Sequence, residues 1–550
     1  MKRADKQLWL SAMEDELSAL QEQGTWQIVP RPQGRKIIST KWVLRIKWNP
    51  EKTVPLYKAR LCARGFTQVY GVDFDETYSP TLSKAGLRLI LAVAVQLGMH
   101  IHSVDCKNAF LNGEIDRDIY LEQPAHFIAK GTTAQSHVCK LVKALYGLKQ
   151  SPLIWNHTLR DSLKEKGFEQ LEGEPCIFVK RGTIEGSNKR SYNLLKSWKH
   201  IADNEDFCIL GIYVDDITIV AKTTARIQEA KDIIGNAFKI KDEGEITKIV
   251  GIEIKKVNNG ILLHQEGSIR NMLQKQIMEN CNGNRIPMDS TAVQLLTGNT
   301  VEQPIDNSWY RSIVGEMLYL TVCTRPDISF AVNLCARNVE TPTENNKKAI
   351  TKILRYLKTT MNHGLLYQKC VKNLGFVVHS DSDFATDRKD SKSTTGYVIS
   401  LNNCVITWKT TKQKAVSTST VEAEYIAACA AVKEVIWLNL LLTEILGVEE
   451  IQTPLLLLDN SGAESLIQND EMSNKVKHIR YSNHFIRDCH AHKLINIRHI
   501  AGTENPADMF TKPLGFESFR KHCQTLNVGN SAELMLKKEF SDRGYLAGSD

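Results

Sequence analysis

The sequence predicts a multidomain chain, α+β through its first two-thirds and α/β in its last part. Three observations carry this reading. The chain has 550 residues, enough for two to four domains. The tetrad Tyr213-Val214-Asp215-Asp216 lies between the apolar runs Cys208–Ile212 and Ile217–Val220, the pattern of a hairpin with carboxylates at its tip. From residue 374 onward the pattern becomes three strands, helix, strand, helix, strand, helix, with acids at strand ends.

Each element has a local reason. Trp9, Ala12, Met13, Glu16, Leu17 and Leu20 predict an amphipathic helix that stops before Gly24. Lys41–Ile46 and Tyr57–Leu61 predict strands whose alternation puts cations on one face. Ser83 caps a helix running to Gly98, and Ile101–Asp105 is a strand ending in an acid. Ser151-Pro152 opens a helix through Leu163, with proline at the first helical position. Residues 181–206 are polar and irregular, and predict an inserted surface loop. Helices are expected near 225–238, 308–320 and 343–360. Leu374–Ser380, Thr395–Leu401 and Cys404–Trp408 predict a meander, followed by a long apolar helix from Val421 to Leu446 that ends at Gly447. Leu455–Leu458 leads into Asp459, and Ile495–Ile500 precedes a short helix containing Asp508.

Composition narrows the classes. Apolar content of 42% and charged content of 24% are those of an ordinary globular protein. Net charge is only +8, but nine cations crowd the stretch from Arg35 to Arg64 against the single acid Glu51. Such a run suits a phosphate backbone, and equally a solvated face. The 13 cysteines form no Cys-x-x-Cys pair, which predicts free thiols in a reducing compartment. Met1–Lys6 lacks the core of a signal peptide, and the longest apolar stretch, near Leu87–Met99, is too short to span a bilayer. A soluble intracellular protein without a membrane partner is expected.

The chemistry lies in the acids. Asp105 closes one strand, and Asp215 and Asp216 follow 110 residues later in the hairpin. Ionised carboxylates side by side repel, so their grouping calls for cations. Two Mg²⁺ ions, with Mn²⁺ as a substitute, would use that charge in phosphoryl transfer, and the site would become complete only with a nucleotide present.

The motifs carry a family resemblance. Lys41-Trp42-Val43, Tyr57-Lys58-Ala59-Arg60-Leu61, Gly65-Phe66-Thr67-Gln68, Asp73–Pro80, Val104–Gly113, Ala144–Pro152 and the tetrad resemble the reverse transcriptase of copia-type (Pseudoviridae) LTR retrotransposon polyproteins. The resemblance implies an α+β right-hand polymerase of fingers, palm and thumb. Asp105, Asp215 and Asp216 take the positions of its metal-binding acids. Lys58 and Arg60 fall where the fingers meet the incoming triphosphate, and either one fits the main contact. Phe110 matches the ring that excludes a ribose 2′-hydroxyl, and Tyr146 and Gly147 line the nucleotide pocket. Without the resemblance, Phe110 and Tyr146 read as core rings. RNA template, DNA primer, dNTPs and an RNA–DNA hybrid are the implied partners, in a cytoplasmic virus-like particle with a nuclear phase.

A second set of stretches, His379–Asp383, Ser393–Tyr397, Val416–Tyr425, Leu458-Asp459-Asn460 and Ala507–Leu514, resembles the α/β ribonuclease H domain of the same polyproteins. The implied acids are Asp381, Glu422, Asp459 and Asp508, again holding two Mg²⁺ ions. Asp383 and Glu424 are close neighbours, and strand alternation puts Asp383 on the face of Asp381. His478, His484, His490, His492 and His499, with Cys489, match no common zinc spacing. The implied division is 1–235 fingers and palm, 236–370 thumb and connection, 371–520 ribonuclease H-like domain and 521–550 tail. Cys106 and Phe384 depart from the family pattern tolerably, and the 181–206 insertion more seriously. No integrase, protease or zinc knuckle is visible. A mature-like product, a fragment and a decayed copy acting only as an inactive nucleic-acid binder are the alternatives.

Overall fold

The computed structural model describes residues 5–47, 55–182, 204–298, 302–370, 374–387, 389–449, 451–468 and 485–535. Most of the expected 181–206 insertion lies outside the described residues, as do Glu51, Lys52, His478 and His484.

The N-terminal part begins with helix α1, Lys6–Glu22, which buries Trp9, Met13, Leu17 and Leu20. It packs across a two-stranded ribbon of β1, Thr40–Lys47, and β2, Leu56–Ala63. The register sets Arg45 opposite Lys58 and Val43 opposite Arg60, so Lys41, Arg45, Lys58 and Arg60 share one face. Helix α2, Lys84–Leu97, is capped by Ser83, whose hydroxyl accepts from the Gly86 amide, and ends at Gly98 in the left-handed conformation. Its residues from Ala85 to Leu97 are all buried, so it lies under the sheet rather than on the surface.

That sheet is the palm. It combines β3, His100–Cys106, β4, Ile177–Lys180, β5, Cys208–Tyr213, β6, Asp216–Ala221, and β7, Ile240–Glu245, in the order β7-β3-β6-β5-β4. Helix α3, Ser151–Glu165, and helix α4, Thr224–Ala237, pack against it through Trp155, Leu159, Ile227 and Ile234. A second antiparallel sheet follows, with β8, Ile252–Val257, and β9, Gly260–His264. Helices α5, Asn307–Cys323, and α6, Glu344–Thr359, lead to a further strand of this sheet, β10, Gly364–Gln368, which pairs with β9.

The last part contains β11, Gly375–Asp383, β12, Thr394–Leu401, β13, Cys404–Lys412, helix α7, Thr420–Leu446, β14, Gln452–Leu458, and β15, Asn496–His499. Strand order is β13-β12-β11-β14-β15. The first three strands are antiparallel, and β14 and β15 run parallel to β11. This antiparallel meander extended by two parallel strands is a ribonuclease H-like sheet, and it follows a polymerase fingers-and-palm fold. Helix α7 has the length and apolar composition of a membrane span, so Leu87–Met99 is not the longest apolar stretch. Its buried Ala427, Ala431, Val435, Leu438 and Leu442 instead pack in the core, with the helix against β11 and β12.

Two boundaries differ from expectation. Residues 521–529 are no tail: helix α8, Phe516–Thr525, runs across position 520, and β16, Val528–Gly529, pairs with β10. Nor does the core break near residue 370. One apolar cluster runs from Leu82 through Leu365 and Phe376 to Val528. Arg88, fully buried on α2, donates to the carbonyls of Ile406 (2.6 Å), Val322 (2.6 Å) and Cys323 (2.9 Å), and its guanidinium lies 4.3 Å from the Trp408 ring centre. One cation thus ties palm, connection and ribonuclease H-like sheet together.

Candidate active sites

The palm carboxylates are placed by strand register. Asp216 opens β6 and pairs directly with Asp105 of β3. Tyr213 and Asp216 face each other across the β5–β6 hairpin, leaving Val214 and Asp215 as its two-residue turn. Val214 has φ of +59°, a left-handed conformation that a β-branched residue rarely adopts. Two contacts hold it there. The Trp155 indole N–H donates to the Val214 carbonyl at 2.7 Å, and the Cys106 amide donates to the Asp215 carbonyl at 2.8 Å.

Burial, then Asp215 and Asp105, push the Asp216 carboxyl up to about 6. Burial, Asp215 and Glu243 also raise Asp105, while Lys241 and Lys58 oppose the rise. The fingers cation Lys58 is therefore within electrostatic reach of the palm acid.

The remaining expected pocket residues converge beside these acids. The Arg60 guanidinium stands 4.7 Å from the centre of the Tyr146 ring, and Phe110 meets the same ring edge-on at 5.0 Å. Backbone bonds from Ala63 N to Tyr146 O (2.8 Å) and from Gly65 N to Gly147 O (3.1 Å) dock this segment on the fingers ribbon. Gly147 has φ of +92°, and a Cβ there would stand 2.2 Å from the Ala63 carbonyl, so only glycine fits. The Tyr146 hydroxyl is pushed up to about 12 by burial, with Asp215 and Asp105 adding to the rise against Arg60.

The second cluster forms at the ends of parallel neighbours β11 and β14. Asp381 sits on β11, Asp459 directly follows β14, and Asp508 lies in the 3₁₀ turn Pro506–Phe510. Each offers an oxygen within 4.8 Å of the others, the one such trio of ligand groups among the described residues. The 3₁₀ turn is anchored by Asn505 Nδ2, which donates to the Ser380 carbonyl at 2.9 Å. It lies close on β12, where a Cβ on Gly396 would meet Thr511 at 2.6 Å.

Glu422 does not join this cluster. Its carboxylate accepts from the Thr418 amide (2.7 Å) and hydroxyl (2.8 Å), while the Ser419 hydroxyl accepts from the Glu422 amide. It sits in the first turn of α7 and is bonded back to Thr418, the residue before the N-cap Ser419. The acid turned toward the cluster is Glu424, two positions on and therefore on the opposite face of α7. Burial first, then Asp381 and Asp459, push Glu424 up to about 9, and its buried Oε2 has no hydrogen-bond partner. The signal was present in the sequence: Ser419-Thr420-Val421-Glu422 is a capping-box pattern, which assigns its glutamate to the helix end. Asp383 is engaged elsewhere, accepting from the Thr394 amide and the Thr386 hydroxyl.

Two further residues went unread. Lys512, one helical turn after Asp508, places Nζ 2.8 Å from Asp508 and 3.7 Å from Asp381. The Thr511 hydroxyl donates to Asp381. Even with that ammonium nearby, burial and Asp381 hold Asp508 up at about 7.

The donor sets fit a hard divalent cation. They consist of carboxylate oxygens, several are raised by burial and then by one another's charge, and Glu424 presents a buried oxygen lacking a donor. Among the described residues, the palm acids are not gathered into a tight trio of ligand atoms as the second cluster is.

A palm with paired acids, cationic fingers and a ribonuclease H-like sheet define a reverse transcriptase class of protein, and sequence comparison agrees. Residues 23–191 and 197–290 match the family "Reverse transcriptase (RNA-dependent DNA polymerase)". The chain is 35% identical over 522 residues to the "Retrovirus-related Pol polyprotein from transposon RE1" of Arabidopsis thaliana, covering 94% of this chain and 34% of that protein. It is 34% identical over 520 residues to the polyprotein from transposon TNT 1-94 of Nicotiana tabacum, covering 92% of this chain and 37% of that one. A foamy viral protease-reverse transcriptase solved with double-stranded DNA aligns with 90% of this chain and 70% of its own, at 10% identity and a TM-score of 0.45. The chain belongs to the copia-type, retrovirus-related Pol polyproteins. It spans about a third of the length of these curated relatives.

Proposed function

We propose that this chain is an RNA-directed DNA polymerase with an attached ribonuclease H, copying retrotransposon RNA into DNA and degrading the template. The observation that carries the reading is the direct pairing of Asp216 with Asp105 beneath the Asp215 turn. Nothing in folding alone rewards three acids gathered there.

In this reading Asp105, Asp215 and Asp216 hold two divalent cations, Mg²⁺ or Mn²⁺. Bound there, the cations supply Lewis-acid stabilisation of the attacking and leaving oxygens of phosphoryl transfer. Lys58 and Arg60 bind the triphosphate of the incoming dNTP and offset its charge. Tyr146 and Gly147 form the floor beneath the nucleotide, and the edge-on Phe110 ring stands against a 2′-hydroxyl, favouring dNTPs. Trp155 keeps the Val214–Asp215 turn in its strained form, so the carboxylates are oriented before substrate arrives.

At the second site Asp381, Glu424, Asp459 and Asp508 hold the cations, and Lys512 offsets their charge. An RNA–DNA hybrid is read through groove shape and 2′-hydroxyls, so little sequence preference is expected. RNA template, DNA primer and hybrid are the partners of this reading, in a cytoplasmic particle with a nuclear phase.

Primer extension on an RNA template tests it, comparing wild type with Asp215→Asn. Loss of incorporation by at least about a hundredfold is expected, the scale for removing one preorganised charge. Equal incorporation by both proteins would sink the reading.

A further inference from the structure

Helix α7 touches the palm far from the end that carries Glu424. Trp437 and Glu444 lie two turns apart on one face of this helix. Both reach the same palm residue. The Trp437 indole N–H donates to the Gly173 carbonyl at 3.0 Å, and the Glu444 carboxylate accepts from the Gly173 amide at 3.1 Å. A Cβ on Gly173 would stand 3.3 Å from that carboxylate, so glycine lets the two backbones come this close.

A third bond comes from Arg181, directly after β4. Its guanidinium donates to the Glu444 carbonyl, and to the Ile445 carbonyl at 3.4 Å, while Glu169 pairs with its other side at 2.5 Å. These carbonyls lie in the last turn of α7, the negative end of the helix dipole, where a cation is favoured. Gly447 ends the helix at φ of +63° and keeps room for the guanidinium, since a Cβ there would meet Arg181 Nε at 2.6 Å.

The palm loop that receives α7 is itself bonded to the polymerase elements. The buried Glu174 carboxylate accepts from the Ser83 amide at 3.3 Å, at the start of α2. The Ile212 amide donates to the Cys176 carbonyl at 2.8 Å, and Ile177 pairs with Gly211 on β5, the strand that leads to Asp215. In the other direction, Glu424 stands thirteen residues along α7 from Trp437, about 20 Å at 1.5 Å per residue. A continuous run of bonds thus joins the palm hairpin, through Gly173, to the acid of the second cluster.

Arg88 holds the same ribonuclease H-like sheet at its edge strand β13. One tie between two bodies leaves a rotation about it, and a second tie on a different element removes that rotation. The scale is fine, because a slip of about 3.4 Å along a duplex is one base pair.

We propose that the palm loop Leu171–Cys176, with Arg181, is a seat for the far end of α7, and that Trp437 and Glu444 are positioning residues that set where RNA is cut relative to the primer end. The proposal rests on the two-site reading for its substrate. The covalent connection through residues 236–370 alone would not fix that position.

The test uses the full chain with Mg²⁺ and no dNTPs, on end-labelled RNA paired to a DNA strand with a recessed 3′ end. Cuts are mapped to single nucleotides from that 3′ end. Wild type should cut within a narrow window. Trp437→Phe keeps the ring and loses the donor, and Glu444→Ala loses the acceptor. The double variant should lower cutting at the main position about threefold, as displaced orientations become populated. New cuts should appear about one to three nucleotides to either side, at about 3.4 Å per nucleotide. Total cleavage and primer extension should stay within about twofold of wild type, since neither residue is near a carboxylate cluster. Glu444→Gln retains an acceptor and should restore the narrow window in the Glu444 single variant. Less cleavage or a lower melting temperature with the window unmoved would make the contact merely structural and overturn the proposal. A wild type that fails to extend primers, with a window that still moves in the double variant, would remove the polymerase reading and leave the seat. A wild type that cuts no hybrid would remove the ribonuclease H reading and this inference with it, whereas wild-type cutting at unmoved positions in the double variant removes the inference alone.

Discussion

Asp216 and Asp105 are cross-strand partners, one register step from the hairpin turn that carries Asp215. Like charges held opposite each other on a sheet are destabilising. The sign of that effect is testable. The ordinary aspartate value is 3.8, and the site holds Asp216 near 6. A raised carboxyl costs stability as pH climbs from the lower value to the higher, and carries the full cost above pH 6. Asp216→Asn should therefore melt higher than wild type in EDTA at pH 7, by about 1 kcal/mol once solvent screening of this half-exposed group is allowed for. The gap should close below about pH 4. Thermal melts across pH check this. Incorporation by wild type should rise as pH passes 6, because only the ionised pair holds cations.

Trp155→Phe keeps an aromatic ring in the palm core and removes the donor to the Val214 carbonyl. The turn then loses one of its two restraints, and the Asp215 carboxylate is no longer oriented in advance. Incorporation should fall about tenfold, with primer–template affinity unchanged and stability lower by about 1 kcal/mol. Single-turnover extension and a binding titration separate the two effects.

The two glutamates of α7 should divide cleanly. Glu424→Gln should reduce cleavage of a labelled RNA–DNA hybrid by about a hundredfold or more. It should also raise the metal-free melting temperature at pH 7, since a carboxyl held near 9 is costly to bury. Glu422→Ala should leave cleavage near wild type and cost about 1 kcal/mol through the lost bonds to Thr418. Cleavage lost in Glu422→Ala and retained in Glu424→Gln would reverse the assignment.

Arg88→Leu tests the tie between the domains. It leaves the carbonyls of Val322, Cys323 and Ile406 without their donor in the core. A loss of about 3 kcal/mol or more is expected. Calorimetry should show the wild type's shared transition splitting toward separate palm and ribonuclease H-like unfolding. Arg88→Lys, with one ammonium for three carbonyls and no planar stack on Trp408, should fall between.

The sequence made much of this legible, because period and caps act locally. The 208–221 hairpin, the Ser83-capped helix and the β11–β13 meander follow from alternation, capping and glycine stops. The acids at strand ends follow from the strands. Less legible were features fixed by distant contacts. Choosing Glu424 over Glu422 needs the phase of α7 against the sheet as well as the start of the helix. Val214 takes a left-handed backbone only because Trp155 and Cys106 hold it. Residues 521–529 have no strand signal of their own; two residues suffice for β16 because β10 supplies the partner. Arg88 resembles any helix cation until three carbonyls from two other regions surround it.

The pairing of β16 with β10 has a consequence for how the chain is made. The strand that finishes the central sheet leaves the ribosome some 160 residues after its partner, a separation read from β10 at 364–368 and β16 at 528–529. Until then one side of β10 stays open to other chains. Copies cut short by a stop codon even slightly before Gly529 should accumulate as insoluble material, although every carboxylate of both clusters has already been translated.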